Sequence, residues 1–165
     1  MRMTDDGFRI FVEQLREGHT EEIAEVFAPE FLDVQEKELV LDQPVKVNGQ
    51  VYLADEMLVL HLDIATQAML PCSVCNEPVS LDLSVKGFYH AVPLSEIKGG
   101  IYDLREILRE TILLEVPLLA ECRQGNCPKR KAMKKFLKKE GSPGSGDEGE
   151  GYRPFANLDL DLKDR

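Results

Sequence analysis

Three features of the chain predict an α+β fold. Two long stretches, 58–70 and 79–85, alternate apolar and polar residues at period two. One segment, 103–115, repeats its apolar residues at helical spacing. A short, strongly basic stretch at 129–139 carries a second, smaller helical stripe. The expected architecture is a single α+β domain over 1–139: an antiparallel β-sheet, barrel-like if it closes, with a packed amphipathic helix and a short basic helix. A Gly/Ser/acidic linker at 140–151 and a C-terminal tail at 152–165 would follow. The 165 residues, 43% hydrophobic and 30% charged, suffice for one such domain with a real core.

Taken in order, Phe8-Arg9-Ile10-Phe11-Val12 alternates and reads as a strand. Residues 20–27 read as a short helix, with Thr20 as N-cap, Glu21 and Glu22 in the first turn, and Ile23 four residues from Phe27. From 37 to 92 the pattern is antiparallel sheet. Asn48-Gly49 is a strong hairpin signal. A three-residue loop there pairs Val47 with Val51 and Val45 with Leu53, which keeps the apolar residues on one face. In the next strand Leu58, Leu60, Leu62 and Ile64 face inward, continued by Thr66, Ala68 and Leu70, with Val59, His61 and Asp63 opposite. Beyond a turn containing Cys72 and Cys75, Val79, Leu81, Leu83 and Val85 face inward, and Gly87 marks a bulge or bend.

The helix at 103–115 has Asp103 as N-cap and Glu106 three residues on. Leu104, Ile107, Leu108, Thr111 and Ile112 form its apolar stripe, with Leu114 or Glu115 at the margin. Val116-Pro117 ends it, because a residue before proline avoids the α region. Pro128 suits the first turn of the basic helix, where Ala132, Met133, Phe136 and Leu137 make the stripe. Gly141-Ser142-Pro143-Gly144-Ser145-Gly146 cannot build a core.

The four cysteines form two close pairs, Cys72/Cys75 and Cys122/Cys127. The N-terminus has Asp5 and Asp6 where an export signal would be apolar, so a cytoplasmic, reducing setting is expected. There the leading reading of the pairs is a structural zinc site built from Cys72, Cys75, Cys122 and Cys127. Thiolates suit zinc, and spacings of two and four intervening residues let a turn aim two sulfurs at one ion. The pairs lie too far apart for a compact zinc ribbon, so the fold would have to carry a hairpin tip to a loop after the helix. Reduced thiols without metal, or a redox pair, are the alternatives. No stretch is apolar enough to span a membrane. No phosphate-binding loop, dinucleotide fingerprint or nucleophile motif is present, and His19, His61 and His90 belong to none. The expectation is a protein that is not an enzyme.

Net charge is −10, unevenly spread. Residues 1–128 hold 10 basic and 23 acidic residues, while 129–139 hold 7 basic and none acidic. The body repels nucleic acid and could hold a basic protein. Lys129, Arg130, Lys131, Lys134, Lys135, Lys138 and Lys139 are candidate RNA-binding residues. A solvated face, or an anionic membrane surface, are the other readings of that segment, the last disfavoured by its shortness.

The order of these parts resembles the YceD family, the large ribosomal RNA subunit accumulation proteins. The resemblance covers roughly 40–160. It rests on Cys-Ser-Val-Cys-Asn-Glu-Pro at 72–78, an alternating strand, the helix 102–117 ending in Val-Pro, the second pair Cys122 and Cys127, and Tyr152-Arg153-Pro154-Phe155-Ala156-Asn157-Leu158 in the tail. Ser73-Val74 lacks the arginine common in the family's first pair. The resemblance implies a non-enzymatic ribosome-biogenesis factor that supports accumulation or processing of large-subunit ribosomal RNA. Its partner would be precursor RNA or a ribosomal protein, with no membrane involved. The alternative is an acidic protein-binding module or chaperone for a basic client, without RNA contact.

Overall fold

A computed structural model describes residues 5–133 of the chain. Six strands, β1 (Arg9–Phe11), β2 (Thr20–Phe27), β3 (Val45–Ala54), β4 (Met57–Pro71), β5 (Pro78–Pro93) and β6 (Ile101–Asp103), precede the helix α1 (Arg105–Glu115). Strands β2-β3-β4-β5 form one antiparallel sheet in that order, and β1 pairs with β6 in a second, two-stranded ribbon. The architecture is α+β, as expected; the four-stranded sheet stays open, ending at β2 and β5, and does not close into a barrel.

The alternation in β4 becomes a buried inner face. Leu58, Leu60, Leu62, Ile64, Thr66 and Ala68 are buried, whereas His61, Asp63, Ala65 and Gln67 are exposed. Val59 departs from the expected outward face and is only 2% exposed. On α1, Leu108 and Ile112, with Leu104 just ahead of the helix, join the same core, and Ile107 packs against it. Burial of such side chains contributes about 1.5–3 kcal/mol each. The Asp103 carboxylate accepts the Arg105 backbone N–H at 2.9 Å, so Asp103 does cap the first turn. Val116 is extended before Pro117 and ends the helix, as expected. Leu114 lies outside the stripe and is exposed.

Gly87 marks a bulge. The β4–β5 register shifts between Leu62 and Ile64, and the Asp63 carboxylate accepts the Gly87 backbone N–H at 2.7 Å. Gly87 has φ +64°, a conformation that favours glycine.

Two expectations are corrected. Thr20–Phe27 is a strand, not a helix, pairing with β3 from Thr20↔Tyr52 to Phe27↔Val45. Ile23 and Phe27 are four apart, which satisfies either period, and hydrogen bonding to the edge of β3 decided between them. Asn48-Gly49 is not a turn. It lies mid-strand in β3, where a Cβ on Gly49 would meet the His61 carbonyl oxygen at 2.1 Å and Leu62 Cα at 2.8 Å. That glycine serves close backbone approach. The hairpin instead turns at Asp55-Glu56, both left-handed at φ 46° and 62°, between the paired residues Ala54 and Met57. Val45, Val47, Val51 and Leu53 share a face because they belong to one strand, not because they pair across a loop.

Among the described residues, no helix is long and apolar enough to cross a membrane. The expected linker 140–151 and tail 152–165 lie outside the described residues.

Candidate metal centre

The hairpin between β4 and β5 projects past the end of β3, and its tip carries the first cysteine pair. The tip is tied by two backbone bonds: Cys72 N–H donates to the Glu77 carbonyl and Asn76 N–H to the Cys72 carbonyl, both at 2.8 Å. Asn76 takes a left-handed conformation, φ 62°, to close the turn.

The second pair arrives on the loop after α1. Ala120 is buried and bridges Cys72 in parallel, and Ser73 N–H donates to the Ala120 carbonyl at 2.8 Å. This short bridge aligns the two loops. The Cys122 backbone N–H then points at the Cys72 sulfur, 3.4 Å away. A tight turn, Cys122–Gly125, swings the chain back through left-handed Arg123, Gln124 and Gly125. Glu121 holds the far side of this loop. Its Oε1 accepts the Cys127 backbone N–H at 3.0 Å and the Arg130 Nε–H at 2.9 Å, while Arg130 Nη2 donates to Oε2.

The outcome is a cluster. The four Sγ atoms of Cys72, Cys75, Cys122 and Cys127 lie within 4.8 Å of one another, with Cys75 and Cys122 at 3.8 Å. Cys72 and Cys127 are buried, and the other two are half-buried. All four are free thiols that can aim at one central ion. The sequence-predicted metal residues are therefore brought together as a set, compatible with a structural metal site.

The electrostatics fit that reading. The Cys122 backbone N–H is the main reason the Cys72 thiol falls to about 6; burial opposes it, and the N–H groups of Cys75 and Val74 assist. At Cys75 the Glu77 N–H favours the thiolate, but burial and the neighbouring Cys72 and Cys127 thiols outweigh it and raise the group. Burial, then the surrounding sulfurs, push Cys122 up to about 12. The Cys72 thiolate is favoured at neutral pH, while burial first and the neighbouring sulfurs second resist ionisation of Cys75 and Cys122. A divalent cation held by the four sulfurs would offset that resistance, and its binding would release protons. Four sulfur ligands leave no coordination position for water, which suits structure and not catalysis.

Of the candidate RNA-binding residues, three are described. Arg130 is committed to Glu121. Lys129 pairs with Glu77 at 3.6 Å on the surface, and Lys131 is exposed. Arg130–Met133 forms a single helical turn. Lys134, Lys135, Lys138 and Lys139 lie outside the described residues. Glu121 was missed at the level of sequence. Nothing local marks a glutamate as the partner of an arginine nine residues on, across a turn.

The histidines do not converge. His61 pairs with Tyr89, and His90 pairs with Leu60, so the two rings lie on opposite faces of the sheet. His90 stacks on Phe88, with ring centroids 6.1 Å apart, and His19 Nδ1 lies 2.9 Å from the Arg16 carbonyl oxygen. A cleft of about 540 Å³, lined by Gln43, Lys46, Thr66, Gln67 and Asp82 among others, holds no histidine or cysteine.

No protein-family model, curated protein or solved structure matches this chain.

Proposed function

We propose that this chain is a non-enzymatic assembly factor for the large ribosomal subunit whose fold is closed by a tetrathiolate zinc centre. The observation that carries the reading is the cysteine cluster. Four thiolates around zinc, with bonds of about 2.3 Å, sit about 3.8 Å from one another. The Cys75–Cys122 sulfurs have that separation. Zinc would be held by Cys72, Cys75, Cys122 and Cys127, and would supply a fixed crosslink between the hairpin tip and the loop after α1. The ribosomal part rests on the YceD-like order of turn, helix, second pair and tail.

In this reading the centre sets where the basic segment leaves the body. Arg130 is anchored to Glu121 three residues after Cys127, so the segment starts from a defined point. Lys131, Lys134, Lys135, Lys138 and Lys139 would then meet precursor RNA phosphates, with counterion release strengthening the contact at low salt. Elemental analysis of protein purified without chelator should give one zinc per chain. Crosslinking of the tagged protein in cells should recover large-subunit precursor RNA or its proteins. Recovery of neither would end the ribosomal reading, whatever the metal content.

A second reading is favoured by one specific observation. The outward side of α1 and the loop behind it combine acidic side chains with bare leucines, a surface suited to a basic protein client rather than to RNA.

A further inference from the structure

Within six residues, 114–119, three leucines stand in solvent: Leu114 is 78% exposed, Leu119 77% and Leu118 fully. Single exposed leucines need no explanation, but a concentration at one corner does. The loop is not loosely attached. Val116 packs on the core before it, and Ala120 is buried after it in the bridge to Cys72. The chain is pinned at both ends and arches its leucines outward.

The charge beside them is one-sided. Glu110 lies one helical turn before Leu114 on the same side of α1, and Glu115 follows it. Both are exposed and have no hydrogen-bond or ion-pair partner among the described residues. The arginines of α1 are engaged elsewhere. Arg109 donates to the Leu32 carbonyl at 2.7 Å, and Arg105 pairs with Asp103 and lies over the Phe8 ring. The helix therefore offers unpartnered carboxylates to solvent, while its arginines are engaged by other groups of the chain.

From this combination we infer that the corner formed by Glu110, Leu114, Glu115, Leu118 and Leu119 is a docking surface for a basic, amphipathic segment of a partner protein. The apolar side of that segment covers the leucines, and its lysines or arginines meet the two glutamates. Charge complementarity excludes the acidic occupants within reach; the chain's own basic stretch 129–139 shares the partner's chemistry. The chain's own tail, 140–165, carries 7 acidic against 3 basic residues and would be repelled. The body of a second copy, with 23 acidic against 10 basic residues over 1–128, would be repelled more strongly. The inference deepens the reading of an acidic module for a basic client, and a ribosomal protein segment is of the right chemistry.

The test is fluorescence polarisation with the full chain and a labelled synthetic peptide of lysine and leucine, its leucines placed three and four residues apart. The double variant Leu118→Ser/Leu119→Ser should weaken binding at least tenfold with an unchanged thermal melt, because both side chains are already exposed. Glu110→Gln/Glu115→Gln should weaken it severalfold and flatten its salt dependence. A peptide of the same composition with its leucines scattered around the helix should bind at least tenfold more weakly. Equal binding by the scattered peptide, or by the double leucine variant, overturns the inference in favour of undirected attraction to an acidic body. So does a dimer in sedimentation that the leucine variant dissociates, since a second copy would then own the surface. A tenfold gain in peptide affinity on Phe155→Ser/Leu158→Ser would assign it to the tail. The same gain on Phe136→Ser/Leu137→Ser would overturn the inference by assigning the surface to the basic stretch 129–139. Loss of single-stranded RNA binding in the leucine variant, without loss of peptide binding, would assign it to RNA. Peptide binding with no ribosomal partner in cells refutes only the ribosomal reading, and the converse refutes only this surface.

Discussion

Leu60 and Cys72 lie on one continuous hairpin, twelve residues apart, yet different physics holds their surroundings. Leu60 is wholly buried in a core shared by β2, β3, β4, β5 and α1. Its stability is spread over many apolar contacts, none of which is individually decisive. Cys72 is buried too, but among a backbone bridge to Ala120, three other thiols and a clamp made by Glu121 and Arg130. Here few interactions carry the arrangement, and in the proposed reading a cation held by the four thiols would be the central one. The core should therefore fail cooperatively, and the cysteine corner locally.

The severest way to test that contrast is Gly49→Ala. The added Cβ collides with backbone at 2.1 Å, and φ is +154°, so strands β3 and β4 must separate. The expected cost is on the order of 4 kcal/mol or more, and the measurement is a denaturant melt with loss of soluble protein. Leu108→Ala comes next, since its side chain is fully buried between α1 and the sheet. A loss of about 2–5 kcal/mol, with an unchanged denaturant slope, is expected.

Cys127→Ser, or a strong chelator, should have a smaller global effect and a different distribution. Hydrogen exchange at Ser73, Cys122 and Cys127 amides should accelerate at least tenfold, while amides of the inner β4 face keep their protection. Equal acceleration in both regions would show that the corner and the core are one cooperative unit.

Glu121→Gln should give the mildest change. Exchange at Cys127 rises severalfold, and the melting temperature moves little. The same clamp sets a pH dependence. Arg130 first, and the Cys127 N–H second, hold the Glu121 carboxyl below its ordinary 4.5. A group whose folded value is depressed stabilises fully above the ordinary value and loses that contribution as pH falls through the folded one. Exchange at Cys127 measured from pH 6 downward should thus accelerate beyond the intrinsic trend only below about 4.5, and the variant should lack that step.

The two regions also differ in how far the sequence makes them legible. In β4 and β5 the inward positions were legible because a strand buried on one face writes its own pattern. In α1 the stripe Leu104, Leu108 and Ile112 was legible for the same reason at helical period. Thr20–Phe27 was misread because two apolar residues four apart fit either period. Asn48-Gly49 was misread because glycine serves both turns and close strand contacts, and only the neighbouring His61 carbonyl tells them apart.

By itself, then, the sequence determined the local periodic elements, the placing of Cys72 and Cys75 at a hairpin tip, and the end of α1 at Val116. These depend on side chains within a few residues of one another. The tertiary structure alone decided that β2 is a strand, that Ala120 meets Cys72, and that Glu121 reaches Arg130. It also left Leu114, Leu118 and Leu119 outside the core. Those outcomes depend on which surfaces meet after distant segments pack, and periodicity within one segment carries no record of the partner it will find.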